Sequence, residues 1–250
     1  MSKRFGYNLV TAGYYDLFNP PWSEIERQRI AFFHHYAQSV FAALDVGAGT
    51  GLIALPLAAD KISVTCLEAS PEMRAALLIK AAQQPEVLPY LTIVAGNAVN
   101  FHLNRQFSLI YACYMFHNLL EEHDQLAFLH CVRDHLASNS RFILTANFAL
   151  PEAMSLTLLK EQHVGDLRYC LLMEQAVLSA SHYEMRFVYE QYRGDEQIDT
   201  HEVYSQGRAI SYEQLMTLCR DANLKLEVAY SDFNRQPYSE NESRFIGIFY

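Results

Sequence analysis

The stretch of sequence with the clearest chemical potential is DVGAGTGL, which runs from Asp45 to Leu52. An acidic residue ends an apolar strand, and Gly47, Gly49 and Gly51 form a turn before the next helix. Glycines let the backbone turn sharply and approach a ligand that a Cβ would push away. The free N–H groups at the helix N-terminus favour a carboxylate or a phosphate. The dinucleotide fingerprint G-x-G-x-x-G would require a glycine at position 52, so the spacing disfavours a nicotinamide cofactor.

His117 is the main candidate for proton transfer, because an imidazole can accept a proton near neutral pH. It follows the apolar segment 107–116, where it would lie beside a bound acceptor. The alternative is a structural histidine that satisfies a loop or the start of a helix, and both interpretations stay open. The other histidines lack a metal-ligand spacing and no Cys/His cluster accompanies them, so no metal site is predicted. The chain has no G-x-S-x-G elbow, and acyl-transfer chemistry has no support.

These residues need a scaffold, and the hydrophobic pattern predicts strands that alternate with helices. Apolar strands are predicted at 43–48, 62–68, 91–95, 107–114 and 141–148, and helices at about 21–41, 50–60, from Ser70 onward, and 121–136. Near-continuous apolar strands separated by helices imply a parallel sheet that is covered on both faces. A helix beginning at Ser211 with a capping box, and two strands at 224–232 and 244–250, complete the chain.

The pattern changes after residue 148. Residues 151–162 are predicted to be helical, and 167–206 to form three strands of mixed polarity. In 182–193, aromatic or apolar residues alternate largely with polar ones, which is typical of a half-exposed antiparallel strand. Gly194 and Asp195 predict a turn between two of these strands. Four tyrosines of this region could line a pocket and three arginines could bind an acceptor carboxylate, although each arginine alone is more typical of a surface ion pair. They are Tyr183, Tyr189, Tyr192, Tyr204, Arg168, Arg186 and Arg208.

The D-x-G-x-G-x-G loop and five βα units followed by a late pair of strands resemble the core of class I S-adenosylmethionine-dependent methyltransferases. The resemblance implies an α/β fold: a Rossmann-like, doubly wound, seven-stranded and mostly parallel sheet whose last strand is antiparallel. It assigns 43–148 and 211–250 to the cofactor-binding core, and 1–42 to an N-terminal helical cap over the cofactor site. Residues 149–210 would form an inserted small antiparallel sheet that covers the substrate. Such an insertion resembles the small-molecule N-methyltransferases, including those that act on amino sugars.

The resemblance also implies S-adenosyl-L-methionine as the cofactor and predicts the residues that bind it. Asp45 and the glycine loop would hold its amino acid end, and the Glu68 carboxylate would accept hydrogen bonds from both ribose hydroxyls. Asn97 stands where the family commonly has an aspartate that accepts from the adenine amino group, and its Oδ1 could accept the same bond. A tyrosine of the N-terminal region would contact the cofactor. Tyr7, Tyr14 and Tyr15 are the candidates, and Tyr15 is preferred because Asp16 follows it. The predicted cofactor-binding set is Tyr15, Asp45, Gly47, Ala48, Gly49, Gly51, Glu68, Ala69, Met73, Asn97, Ala98 and Cys113, and the predicted catalytic residues are His117 and Tyr15.

Composition limits the classes of partner. The chain has 250 residues, is 51% hydrophobic and carries a formal net charge of −9 without a run of basic residues. Such a charge disfavours a general nucleic-acid binder, and the absence of a long apolar run disfavours a membrane span. Five scattered cysteines form no C-x-x-C pair, which is typical of the reducing cytoplasm. We therefore expect a cytoplasmic protein with a small-molecule acceptor and no nucleic-acid or membrane partner, and a homodimer is left open.

The predicted function is transfer of a methyl group from S-adenosylmethionine to a small molecule by in-line displacement. Nitrogen is the favoured acceptor atom, since an amine needs only to be uncharged at attack, whereas a hydroxyl also needs a base. Two alternatives are kept: an O-methyltransferase that uses His117 as its base, and a non-catalytic S-adenosylmethionine-binding partner protein.

Overall fold

The computed structural model describes residues 5–240 and 242–250. In chain order, its helices and strands are α1 (Leu9–Phe18), α2 (Glu24–Ala37), β1 (Ala43–Val46), α3 (Ala54–Ala59), β2 (Val64–Glu68), α4 (Pro71–Ala82), β3 (Leu91–Ala95), β4 (Phe107–Ala112), α5 (Glu122–His135), β5 (Leu136–Asn147), β6 (Met154–Val164), β7 (Leu167–Val177), β8 (His182–Arg193), β9 (Glu196–Arg208), α6 (Tyr212–Asp221), β10 (Leu226–Tyr230) and β11 (Arg244–Phe249). Short 3-10 helices span Pro85–Tyr90 and Phe116–Asn118. No helix among the described residues is long and apolar enough to span a membrane.

The larger sheet has seven strands in the order β10-β11-β5-β4-β1-β2-β3. Strands β1 to β5 pair in parallel, and β11 is antiparallel to both of its neighbours. The predicted seven-stranded, mostly parallel sheet with an antiparallel last strand is therefore confirmed. Buried apolar clusters cover both faces of this sheet, as the apolar strands required. The chain winds in opposite directions from β1 and from β4, so the sheet has its topological switch point between these two neighbouring strands.

The second sheet is antiparallel, has four strands in the order β6-β7-β8-β9, and spans residues 154–208. The helix predicted at 151–162 is wrong, because this segment contains β6, which pairs antiparallel with β7. Its leucines, Lys160 and Glu161 favour a helix only weakly, and pairing with β7 satisfies the same backbone groups. Two-residue turns that begin with Gly165 and Gly194 join β6 to β7 and β8 to β9, and both glycines have a positive φ. The predicted turn at Gly194 and Asp195 is thus confirmed.

Helix α1 lies between the two sheets. Asn8 caps it in a reciprocal capping box with Thr11, and Phe18 packs with Leu171 and Tyr189 of the second sheet. The predicted helix at 21–41 corresponds to the shorter α2, which Ser23 caps by accepting a hydrogen bond from the backbone of residue 26. Since α1 also contacts α4, the N-terminal region joins the second sheet to the larger one.

Candidate active site

A cavity of about 1170 Å³ opens where β1, β2, β3 and β4 end, at the switch point of the larger sheet. Every predicted site residue except Gly51 lines it, His117 included. Further described residues of the wall come from the segment 5–7 before α1, from α2, from the segment after β4, and from β8 and β9 of the second sheet. The cavity is therefore enclosed between the two sheets, with the N-terminal region at one side.

The glycine loop needs its glycines for two different reasons. Gly47, Gly49 and Gly51 all have positive φ, a region that L-residues with a Cβ rarely adopt. A Cβ on Gly49 would meet nothing within 4 Å and would project into open space. A Cβ on Gly51 would lie 2.2 Å from Cδ1 of Leu77. Gly49 thus keeps room at the cavity, whereas Gly51 lies behind the loop and permits its packing, so the predicted direct role of Gly51 is replaced by an indirect one.

Glu68 anchors the loop to β2. One carboxylate oxygen accepts a hydrogen bond from the N–H of Gly49 at 2.8 Å, and the other accepts one from the N–H of Ser70 at 2.8 Å. Arg74 donates to the backbone carbonyls of Glu68 and Ala69 at 2.7 and 2.8 Å. An ionised carboxylate has about four acceptor sites, so Glu68 can accept further bonds from a ligand while it holds the loop.

Asp45 is the buried acid at the end of β1. It is 3% exposed. Burial raises its pKa to about 8, although a hydrogen bond from the Tyr111 hydroxyl lowers it, and the Glu68 charge raises it further. The group is therefore protonated at neutral pH. A cation in the cavity would favour its ionised form.

The N-terminal tyrosines lie deep in the site. Tyr15 and Tyr7 both line the cavity, and their rings meet edge to face at 6.0 Å. Burial raises the pKa of each far above its usual value, so both keep their protons. Tyr15 was preferred because of its neighbour Asp16, but Asp16 instead accepts from Thr50 at 2.5 Å and from Lys80 at 3.1 Å. Asp16 thus ties α1 to the glycine loop and to α4.

The end of β4 supplies a buried thiol and a buried imidazole. Burial raises the pKa of Cys113 to about 12 and lowers that of His117 to about 4. Both groups are therefore uncharged at neutral pH. Tyr114, which lies between them, has a positive φ of 54°. Its backbone N–H donates a hydrogen bond to Oγ1 of Thr145 at 2.6 Å, which helps to hold this strained conformation.

The predicted adenine side lies at the ends of β2 and β3. Met73 is buried at 5% exposure and lines the cavity together with Ala69 and Ala98. Asn97 also lines it, but its Oδ1 accepts a hydrogen bond from the N–H of Val99 at 3.2 Å. A ligand that donates to this oxygen would therefore have to share it with the N–H of Val99.

The sequence analysis missed Arg29. It projects from α2 into the cavity, where its guanidinium pairs with Glu26 at 3.1 Å and lies 4.8 Å from the ring centroid of Tyr114. Its Nε is buried without a hydrogen-bond partner. The sequence did contain a signal for this residue, because Glu26 and Arg29 lie at helical spacing from the buried aromatic residues of α2.

The second sheet forms the opposite wall with Met185, Phe187 and Val203, and with a rim of polar residues that includes Tyr204. Of the four tyrosines considered above, Tyr204 lines this cavity, and Tyr183, Tyr189 and Tyr192 do not. None of the three arginines considered as carboxylate ligands reaches it. Arg186 pairs with Glu174 and Glu202, and Arg168 with Glu161.

Residues 44–142 match a family model described as a methyltransferase domain. The chain contains a methyltransferase domain. A search of curated protein sequences finds no match for it. The fold of the whole chain is similar to that of the CcbJ methyltransferase of Streptomyces caelestis, with 19% identity, a TM-score of 0.77, and coverage of 97% of this chain and 98% of that one.

Two further solved structures share this fold. An S-adenosylmethionine-dependent methyltransferase of Clostridium acetobutylicum has 16% identity and a TM-score of 0.76, with 96% of this chain and 97% of that one covered. The sugar N-methyltransferase KedS8 of a Streptoalloteichus species has 13% identity and a TM-score of 0.74, with 99% and 96% covered. S-adenosyl-L-methionine, the cofactor predicted from the sequence, is the one named for the Clostridium acetobutylicum protein.

The residues around the cavity fit this cofactor. Gly49 leaves space that a Cβ would fill. The partnerless Nε of Arg29 is a buried donor that can meet the cofactor's carboxylate, since arginine binds carboxylates with its planar fork. Glu68 supplies negative charge and acceptors for the ribose, and Asp45 adds a second negative charge once a bound ammonium group favours its ionised form.

The raised pKa of Asp45 predicts that binding of S-adenosylmethionine releases protons. The ammonium and sulfonium charges should lower this pKa, so up to about one proton leaves at pH 7 and the affinity rises with pH up to about pH 8. The folding stability of the ligand-free protein changes with pH in the opposite direction. The stability that protonated Asp45 contributes is present in acid and is lost as the pH rises through about 8.

Calorimetric titrations in two buffers of different ionisation enthalpy would count these protons. The isosteric variant Asp45→Asn should abolish the release while leaving the fold intact. An unchanged proton count in Asp45→Asn would contradict the assignment.

Proposed function

We propose that this methyltransferase acts on a nitrogen atom of a small amine. The observation that carries the proposal is that His117 lines the cavity in a buried position, where burial lowers its pKa to about 4 and keeps it uncharged. Bound S-adenosylmethionine supplies a methyl group that is already activated on a sulfonium, so the protein must orient the acceptor and exclude water. An imidazole with so low a pKa is a poor base for a hydroxyl, but it can accept a hydrogen bond from the N–H of an amine.

Three other cavity groups, at the end of β4, in α1 and just before α1, support the same acceptor. Cys113, Tyr7 and Tyr15 keep their protons at neutral pH because burial raises their pKa values. They can donate or accept hydrogen bonds but cannot take a proton from a hydroxyl acceptor. The similarity to KedS8, a sugar N-methyltransferase, also supports nitrogen as the acceptor atom.

The charges around the cavity favour a cationic acceptor without phosphate groups. Among the described residues that line it, four are acidic and Arg29 is the basic one, which is already paired with Glu26. Two of the acids, Glu121 and Asp124, lie at the start of α5 on the acceptor side, and Met185 and Phe187 offer an apolar surface opposite. An amine on a partly apolar body fits this environment better than an anion does.

Methyl-labelled S-adenosylmethionine and a panel of matched acceptors test the proposal. Each amine, amino sugars included, is paired with the compound that carries a hydroxyl at the same position. We expect label on the amines, and less transfer when the same amine carries a phosphate. Transfer confined to the hydroxyl partners would contradict nitrogen as the acceptor and would support the O-methyltransferase alternative.

The pH dependence separates the acceptor from His117. If the acceptor amine sets the profile, kcat/KM rises with pH until the amine is uncharged, and His117→Ala lowers the plateau without moving the midpoint. We expect a loss below about tenfold, because a general base would contribute about a hundredfold or more. Rates measured from pH 6 to 9 check this, and a midpoint that disappears in His117→Ala would restore the histidine as the base.

A further inference from the structure

The segment that carries His117 has few bonds of its own. Between β4 and α5 it forms one turn of 3-10 helix, Phe116–Asn118, with backbone bonds from residues 118 and 119 back to 115 and 116. His117 and the four residues after it line the cavity on the acceptor side. A short turn of this kind needs support from outside if its side chains are to stay in one place.

The first support runs through Gln125. This side chain is fully buried, and its Nε2 donates to the carbonyl of Leu119 at 3.1 Å. Its Oε1 accepts from Nη1 of Arg208 at 2.8 Å, and Nη2 of Arg208 donates to Glu122 at 3.1 Å. Because an arginine only donates, the amide orientation is fixed. Arg208 is the last residue of β9 and its side chain is 12% exposed.

The second support comes from His182, the first residue of β8. Its Nε2 lies 3.0 Å from the carbonyl of Leu120, and its Nδ1 lies 3.0 Å from the hydroxyl of Ser181. The carbonyl can only accept, so Nε2 carries a proton and donates to it. His182 and Arg208 are direct partners in the β8–β9 register.

We propose that the cross-strand pair His182–Arg208 positions the acceptor wall for methyl transfer. The pair holds two consecutive carbonyls, those of Leu119 through Gln125 and of Leu120 directly, and so sets the place of His117 relative to Met185 and Phe187. Within the described part of the chain, the side-chain hydrogen bonds of the pair go to Leu120, Glu122, Gln125 and residues 179 and 181, and none goes to the glycine loop, Glu68 or the β3 end. They are positioning residues for the acceptor and not for the cofactor. The inference rests on the proposed function for its kinetic part.

The structural part is tested without an acceptor. In Arg208→Met, which keeps the apolar stem, hydrogen–deuterium exchange of the amides of 116–121 should accelerate by at least about tenfold, as expected for loss of buried hydrogen bonds. Calorimetric affinity for S-adenosylmethionine should change by less than about threefold, because the cofactor side keeps its contacts. His182→Asn provides a second, independent variant if Arg208→Met folds poorly.

The kinetic part uses the amine that the unaltered protein methylates fastest in the panel. A displacement of about 1 Å costs up to about a hundredfold in rate, so kcat/KM for this amine should fall by about tenfold to a hundredfold in Arg208→Met. Arg208→Lys, which can replace only one of the two bonds, should recover part of it. Arg168→Met is the matched control, since it removes an arginine and an ion pair from β7 of the same sheet, away from the cavity.

Three results would overturn the inference: exchange in 116–121 that stays as in the unaltered protein, a cofactor affinity that falls as far as kcat/KM, or an equal loss in Arg168→Met. If the unaltered protein methylates none of the amines, the proposed function fails instead, and the exchange and cofactor-affinity measurements still decide on the positioning role.

Discussion

Gly51→Ala should lower the free energy of unfolding by about 2–4 kcal/mol, from left-handed strain and overpacking together. Gly51 has a φ of +82°, and its added Cβ would lie 2.2 Å from Cδ1 of Leu77, which is fully buried, and 3.2 Å from Cγ of Leu55. The leucine cannot move aside without displacing other side chains, because the core under the loop is closely packed. Urea unfolding followed by circular dichroism would measure the loss.

Gly49→Ala is the matched control two residues away. It has the same kind of backbone strain, with a φ of +56°, but its Cβ meets nothing within 4 Å. We expect a stability loss of about 1 kcal/mol together with a fall of at least about tenfold in affinity for S-adenosylmethionine, because the methyl enters the space where a ligand approaches the backbone. Equal destabilisation by both substitutions, or unchanged cofactor affinity in Gly49→Ala, would contradict this division between a packing glycine and a ligand-facing one.

The larger sheet could be predicted from the sequence because its signals are local. Leu91–Ala95 and the strands around it are short apolar runs separated by helices, and such runs specify a buried parallel sheet whatever the partner strands are. The resemblance to class I methyltransferases also placed Glu68 at the end of the strand that follows the glycine loop, as an acidic residue of the same cofactor site. The structure shows the direct bond from Gly49 to Glu68 that this placement requires.

What could not be predicted depends on contacts between distant residues. β6 was predicted as a helix because its intrinsic preference is weak and its pairing with β7 decides its structure. Arg29 was missed because its role depends on Tyr114 and Glu26 converging on it from two elements. The pair of His182 and Arg208 is equally invisible in sequence, since the register of two strands brings it to a segment more than 60 residues away in the chain.

Glu68→Gln should weaken binding of S-adenosylmethionine by about tenfold to a hundredfold, the usual effect of losing a hydrogen bond to a charged group. The amide has the shape of the carboxylate, but one of its ends is a donor. In the unaltered protein, the N–H groups of Gly49 and Ser70 each donate to a Glu68 oxygen at 2.8 Å. In the variant, one of these two N–H groups would face the N–H of the amide instead. Glu72→Gln is the matched control, since it removes the same charge from the first turn of α4 and this residue does not line the cavity. Calorimetry on both variants gives the comparison.

A cofactor analogue separates the two roles that Glu68 could have. If its carboxylate binds the ribose directly, S-adenosylhomocysteine without its 2′-hydroxyl should bind the unaltered protein more weakly, and Glu68→Gln should be largely indifferent to the missing hydroxyl. If Glu68 acts only by holding Gly49, the hydroxyl and the mutation lie on independent contacts and their effects on the binding free energy should add. The carboxylate has acceptor sites left after its two backbone bonds, so we expect non-additivity. Strict additivity would restrict Glu68 to the loop and would require another acceptor for the ribose.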